Sequence, residues 1–474
     1  MTVRAIDDVR AAGGPHRLPV MSPTSLALVA FTATTAAIYA LFALQQHANF
    51  RTASYDLVIF DQAMRGYAGL GAPVAPVKGV HNGFGMDFSI LGDHFSPLLA
   101  SWAPLYWIRP DPTTLLVAQA VCLALAAPIV WVATRRLLSP RAAWLVTAAF
   151  ALSWPVQEAL AADVHEVAFA VPLLALVVER LLADRVGQAA AVSLALLLVK
   201  EDMGLVVAAL GILIALRWAG RRRRLGIGLA VVGLAAVAVS IRVLIPAFGG
   251  HAGYYSSYYS VDDPFDTVRL LATPGPKVEL LLWLTIPLVL LCLASPLSLL
   301  AAPLLLERLL SANPNHWGTT HHYNAYLAPV LVLAAVAVAA RLPVVWRERW
   351  AVAVFAAAVA LCALFPFQRL LQPAEWRTTE RERAAATAVA TVPDGATVEA
   401  VNALGPHLTA RTTVLLLDAT PRGAPWVVAD VDQQSFPFTS MDEQRERVGR
   451  LRGQGYAVVF ERAGYVVLHR EASP

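Results

Sequence analysis

The chain has 474 residues, of which 57% are hydrophobic and only 15% charged, and its mean hydropathy is +0.57. These values exclude an ordinary soluble protein of two or three domains and indicate a polytopic membrane protein. The net charge of +4 does not point to nucleic acid. No basic stripe is interleaved with stacking aromatics, and the one arginine run, 221–224, lies between apolar segments, where positive charge sets orientation.

In chain order, an arginine-bearing N-terminus precedes a first apolar segment at 21–44, too long for a signal-peptide core and read as a retained anchor. A long loop, 45–111, follows, with short interfacial helices expected at 55–70 and 96–108. Further segments are expected at 113–138, 142–161, 167–182, 187–199, 203–218, 225–248, 278–293, 297–310, 327–340 and 350–367. Together they predict an all-α membrane domain, residues 1–367, of about eleven crossings. The N-terminus is then cytoplasmic and the C-terminus extracytoplasmic. Positive charge supports that threading, since 16 of the 25 lysines and arginines before Gln368 fall on the inner side. Ten of the eleven histidines fall outside. Cys122, Cys292 and Cys362 all lie in apolar segments and read as small core side chains.

From Gln368 the composition changes to 12 arginines against 13 acids with no lysine. Helices are predicted at 376–390 and 441–452, and strands at 397–401, 413–417 and 426–431. A hairpin is expected at 456–468, turning at Ala463 and Gly464. This gives an extracytoplasmic α/β domain, 368–474. It carries no metal spacing or phosphate loop and reads as a lid or partner-binding unit.

The outer loops hold the chemistry. YDLVIFDQ (55–62) places Asp56 and Asp61 five apart in an apolar helix. A carboxylate there is either a helix cap or a base able to take a proton from a hydroxyl nucleophile. Asp93 and His94 form an acid and imidazole pair, and Asp163, His165 and Glu166 form a second cluster. Asp93, Asp163 and Glu166 are candidate ligands for one divalent cation. Lys200, with Glu201 and Asp202, lies between two short apolar segments on the side that otherwise lacks basic residues. It is either a snorkelling lysine or a phosphate contact oriented by its acidic neighbours. Tyr258 in the run 254–259, and His321, His322 and Tyr323, suit either an interfacial belt or a hydroxyl-rich ligand.

Taken in order, YDLVIFDQ, LGDHFSP, KEDMG, YYSSYYS and HHYNAYLAP resemble domain-of-unknown-function family 2079, a family of multi-spanning membrane proteins, over nearly the whole chain. The layout is similar to that of GT-C glycosyltransferases: an acid soon after the first crossing, interfacial helices in the first outer loop, and a C-terminal outer domain. The resemblance implies transfer of a sugar from a polyprenyl-phosphate donor to a glycan, lipid or protein acceptor of the cell envelope. It implies Asp56 as the base, with Asp61 and Asp93 as alternatives because Leu57 replaces the second acid of the usual pair. Lys200, Glu201, His94 and His165 are expected on the donor phosphate. The rival class is a transporter or lipid-handling protein, which would carry its ionisable residues near the bilayer midplane, often in repeated halves.

Overall fold

A computed structural model describes residues 22–250 and 274–471; Tyr258 and its neighbours lie outside the described residues. As far as Leu371 the described chain is overwhelmingly helical. Helix Pro23–Ala48 starts on Ser22, whose Oγ accepts from the Ser25 amide at 3.1 Å. Proline follows at the first helical position, where its missing N–H would have had no partner.

Among the described residues four helices are long and apolar enough to cross a membrane: Pro23–Ala48, Pro112–Leu137, Gly220–Ala247 and His322–Ala339. These four are fewer than the about eleven crossings expected from the sequence. The other apolar segments are helical but short or broken. Segment 142–161 divides into Pro140–Ala151 and Trp154–Ala161, where Ser153 and Pro155 interrupt the ladder. Segment 278–293 passes through left-handed backbone at Val289 and Leu290.

Two packing features hold the bundle. Every residue from Leu327 to Val336 is buried, so this helix is apolar all round because other helices surround it. Helices Met203–Arg217 and Gly220–Val239 meet backbone to backbone: a Cβ on Gly211 would lie 2.5 Å from the Gly226 carbonyl oxygen. Small residues permit that approach, and the larger surfaces on either side then interlock. Lys200 to Asp202 immediately precede the first helix of this hairpin.

The C-terminal part is built on one five-stranded sheet in the order β2-β1-β3-β5-β4. The strands are β1 Thr397–Ala400, β2 Thr413–Leu416, β3 Trp426–Asp430, β4 Ala457–Arg462 and β5 Tyr465–His469. β1 pairs in parallel with β2 and β3, whereas β5 pairs antiparallel with β3 and β4. Unbroken buried runs in β3 and β5 mark strands covered on both faces. Helix Glu380–Thr391 opens with a reciprocal cap between Thr379 and Glu382. The hairpin turns at Ala463 and Gly464, both at positive φ (47° and 83°), as a two-residue loop between right-twisted strands requires.

Candidate functional site

A cavity of about 610 Å³ opens among the loops that the sequence singled out. The first loop contributes Asp56, Asp93 and His94 to its wall, and the second cluster Asp163, His165 and Glu166. Lys200, Glu201 and Asp202 line it from a third segment and His321, His322 and Tyr323 from a fourth. The structure thus gathers onto one surface groups that lie as much as 267 residues apart in sequence, Asp56 and Tyr323.

Asp56 owes its position to a break in the helix. The chain enters a single π-helical turn at Ser54–Val58, Tyr55 departs from helical geometry (φ −98°, ψ 71°), and a regular helix resumes at Ile59–Ala68. The Asp56 side chain keeps 38% of its surface accessible, against 1–15% for Asp93, Glu166, Glu201 and Asp202. Of these it is the carboxylate a ligand can reach. His165 Nε2 lies 3.2 Å from Asp56 Oδ2 and stacks on His322 with ring centroids 3.4 Å apart. Burial raises the Asp56 carboxyl, but His165, Lys78 and His321 outweigh it and hold the group below the usual carboxylate range. His321 itself has φ +69° and ψ −178°, a conformation costly for any residue with a Cβ and typical of loops held by function. Burial keeps its imidazole below the usual range.

Lys78, Lys200 and Arg51 bring positive charge to the cavity. Lys200 Nζ stands 3.7 Å from Glu166 and 3.9 Å from Asp202, beyond hydrogen-bond reach. Among the described residues its three donors make no hydrogen bond, so they are open to a ligand. Burial opposes its charge, yet Asp202, Glu166 and Glu201 hold it protonated. Lys78 pairs with Asp93 at 3.0 Å and lies 4.9 Å from the centre of the Tyr55 ring. Glu201 fixes His94: Oε1 meets His94 Nδ1 at 2.9 Å and Oε2 accepts the Phe95 amide at 3.0 Å. Burial and Lys200 lower the His94 imidazole, but Glu201 and Asp93 raise it above its ordinary value.

Asp61 does not line the cavity. It is fully buried and its oxygens accept from Arg65 Nε and Nη2, Tyr106 Oη and Thr409 Oγ1 at 2.7 to 3.1 Å. These bonds tie the first loop to the C-terminal part through Thr409. The proposed cation ligands Asp93, Asp163 and Glu166 all line the cavity, but among the described residues no group of three or more His, Cys, Asp or Glu side chains is arranged to hold a metal. Asp93 is paired with Lys78, Asp163 Oδ2 accepts the Ala53 amide at 2.7 Å, and Glu166 faces Lys200.

The sequence reading missed Lys78, Arg308, Asn402 and Phe436. Lys78, Asn402 and Phe436 line the cavity. Arg308 is buried behind it and donates to the carbonyls of His316 and Tyr323 and to Asn324 Oδ1, which fixes the loop carrying His321 and His322. One signal was present. The chain has only three lysines among 37 basic residues, and two of the three line this cavity. Where arginine serves every other purpose, lysine marks a place for a compact point charge.

Comparison with known proteins follows this geometry. No curated protein matches the chain. Crystal structures of ArnT from Cupriavidus metallidurans share its fold at 14% sequence identity. The undecaprenyl phosphate complex gives a TM-score of 0.56, covering 95% of this chain and 99% of that one. The apo state gives 0.53, covering 94% and 98%. A family described as predicted membrane protein matches residues 46–467. The chain belongs to that family, DUF2079.

Proposed function

We propose that this membrane protein is a glycosyltransferase that moves a sugar from a polyprenyl-phosphate donor to an extracytoplasmic acceptor. The observation that carries the reading is the pairing, in one cavity, of an accessible carboxylate, Asp56, with a lysine whose donors are unspent, Lys200. Asp56 takes the proton of the acceptor hydroxyl as that oxygen attacks the anomeric carbon. The bond from that carbon to the phosphate oxygen breaks, and polyprenyl phosphate leaves with the electron pair. Lys200, Lys78 and His94 stabilise the charge that gathers on the departing phosphate, as preorganised donors do in a water-poor site. Glu201 orients His94 and His165 orients Asp56. The fold shared with a protein crystallised with undecaprenyl phosphate supports this class of donor. A transporter is disfavoured, because these ionisable groups collect at loop ends around one chamber.

Binding of undecaprenyl phosphate to the purified protein tests the donor site. Lys200→Ala should weaken it about 10-fold or more, the worth of one charge-assisted hydrogen bond. Arg222→Ala, which removes an exposed pair with Asp184 and a contact with the Trp218 ring, should leave it unchanged. Equal losses in the two variants would leave Lys200 without a role. We also assign residues 368–474 to the extracytoplasmic side. A reporter after Pro474 should then behave as external and one near Arg222 as cytoplasmic; the opposite pattern would overturn the site.

A further inference from the structure

The C-terminal sheet is open, and its parallel strands lie in the order β2-β1-β3. From β1 the chain runs to β2 on one side and only then to β3 on the other, and the carboxyl end of such a central parallel strand is the usual ligand position. The loop after β1 instead grips the segment just before Asp56. The Ser54 amide donates to the Asn402 carbonyl at 2.7 Å, Ser54 Oγ donates to the same carbonyl at 3.1 Å, and the Tyr55 amide donates to Asn402 Oδ1 at 3.0 Å. Contact is close: a Cβ on Gly405 would lie 2.0 Å from Ser54 Oγ.

These bonds answer a need created by the break at Tyr55. Amides at the start of a helical turn have no partner in the helix itself and must find one elsewhere when buried. Three consecutive amides do so here, Ala53 on Asp163 and Ser54 and Tyr55 on Asn402. The turn from which Asp56 leaves is therefore held both from the bundle, by Asp163, and from the C-terminal unit, by Asn402. Asn402 also lines the cavity, and its Nδ2 has no partner among the described residues.

We propose that Asn402 is a positioning residue of the transfer site, holding the turn that aims Asp56 and making the C-terminal unit an integral part of that site. The proposal rests on the glycosyl-transfer reading for its kinetic consequence but not for its structural one. Misplacing a reacting group by about 1 Å can cost up to 10²-fold in rate. Asn402→Asp keeps an oxygen for the Tyr55 amide, whereas Asn402→Ala removes it.

Two measurements decide the matter in the full-length protein. Hydrogen exchange of the peptide 53–60 needs no substrate: Asn402→Ala should raise it and Asn402→Asp should keep it near the parent level. Turnover of an undecaprenyl-phosphate hexose should show kcat lowered about 10-fold in Asn402→Ala with KM for the donor changed less than about twofold, and substantial rescue in Asn402→Asp. Unchanged exchange in Asn402→Ala would overturn the clamp. Raised exchange with unchanged kcat, or a loss confined to KM, would overturn the positioning role. A parent protein that turns over no such donor would sink the transfer reading, while exchange still decides whether Asn402 holds the turn.

Discussion

Asp56→Asn is expected to lower sugar transfer by about 10²-fold or more while the protein stays folded and still binds the lipid phosphate. The amide keeps the shape of the carboxyl and its bond from His165 but cannot accept the acceptor proton. Because His165, Lys78 and His321 hold the Asp56 carboxyl low against the opposing effect of burial, it is ionised at neutral pH and a weak base. In the proposed transfer it would receive the proton late, as the attacking oxygen becomes positive. Turnover should therefore decline as pH falls through the depressed range of Asp56. Asp61→Asn separates this role from support. Its four accepted bonds, from Arg65, Tyr106 and Thr409, make it a stability variant, with a lower Tm and, in the surviving folded protein, turnover closer to normal. Full activity in Asp56→Asn would remove it as the base.

The difference between Asp56 and Asp61 was only half legible in the sequence. Five residues on a helix rotate a side chain by about 140°, so the two could not share a face, but spacing cannot say which faces the cavity. The break at Tyr55 and the brace on Asp61 decide it, and both depend on Thr409 and Asn402, more than 340 residues away. Lys200 was legible because a lysine between two short apolar segments defied the charge bias. Lys78 was not, since a loop lysine looks ordinary until Asp93 and Tyr55 are seen beside it. In the tail, strand bounds and the Ala463 and Gly464 turn followed from local chemistry, aliphatic runs punctuated by turn residues, and the sheet repeats them. The helices were harder. Hydropathy reports that a segment is apolar but not whether lipid or protein surrounds it, so it could not foresee the break at Ser153 or the left-handed pair at Val289 and Leu290.

Arg447→Met should destabilise the C-terminal unit by about 3 to 5 kcal/mol at neutral pH, the usual cost of removing one partner from a buried ion pair. Arg447 and Glu399 are both fully buried, with Nη2 and Oε2 2.9 Å apart. Glu399 also accepts the amides of Arg422 and Ala424, and Arg447 Nε donates to the Asp418 carbonyl. Even with these partners, burial keeps the Glu399 carboxyl above its ordinary value. Removing Arg447 raises it further. A carboxyl whose folded value exceeds its unfolded one contributes stability below the unfolded value and loses it as pH rises through the folded one. The Arg447→Met deficit should therefore be smaller near pH 5 than near pH 8, and adding Glu399→Gln should recover part of it at pH 8. Thermal melts of the single and double variants at both pH values check this; an equal deficit at both would mean that Glu399 charge is not the cause. Glu399 lies on β1, three residues before Asn402, so the strand that this pair steadies is the one that holds the turn before Asp56.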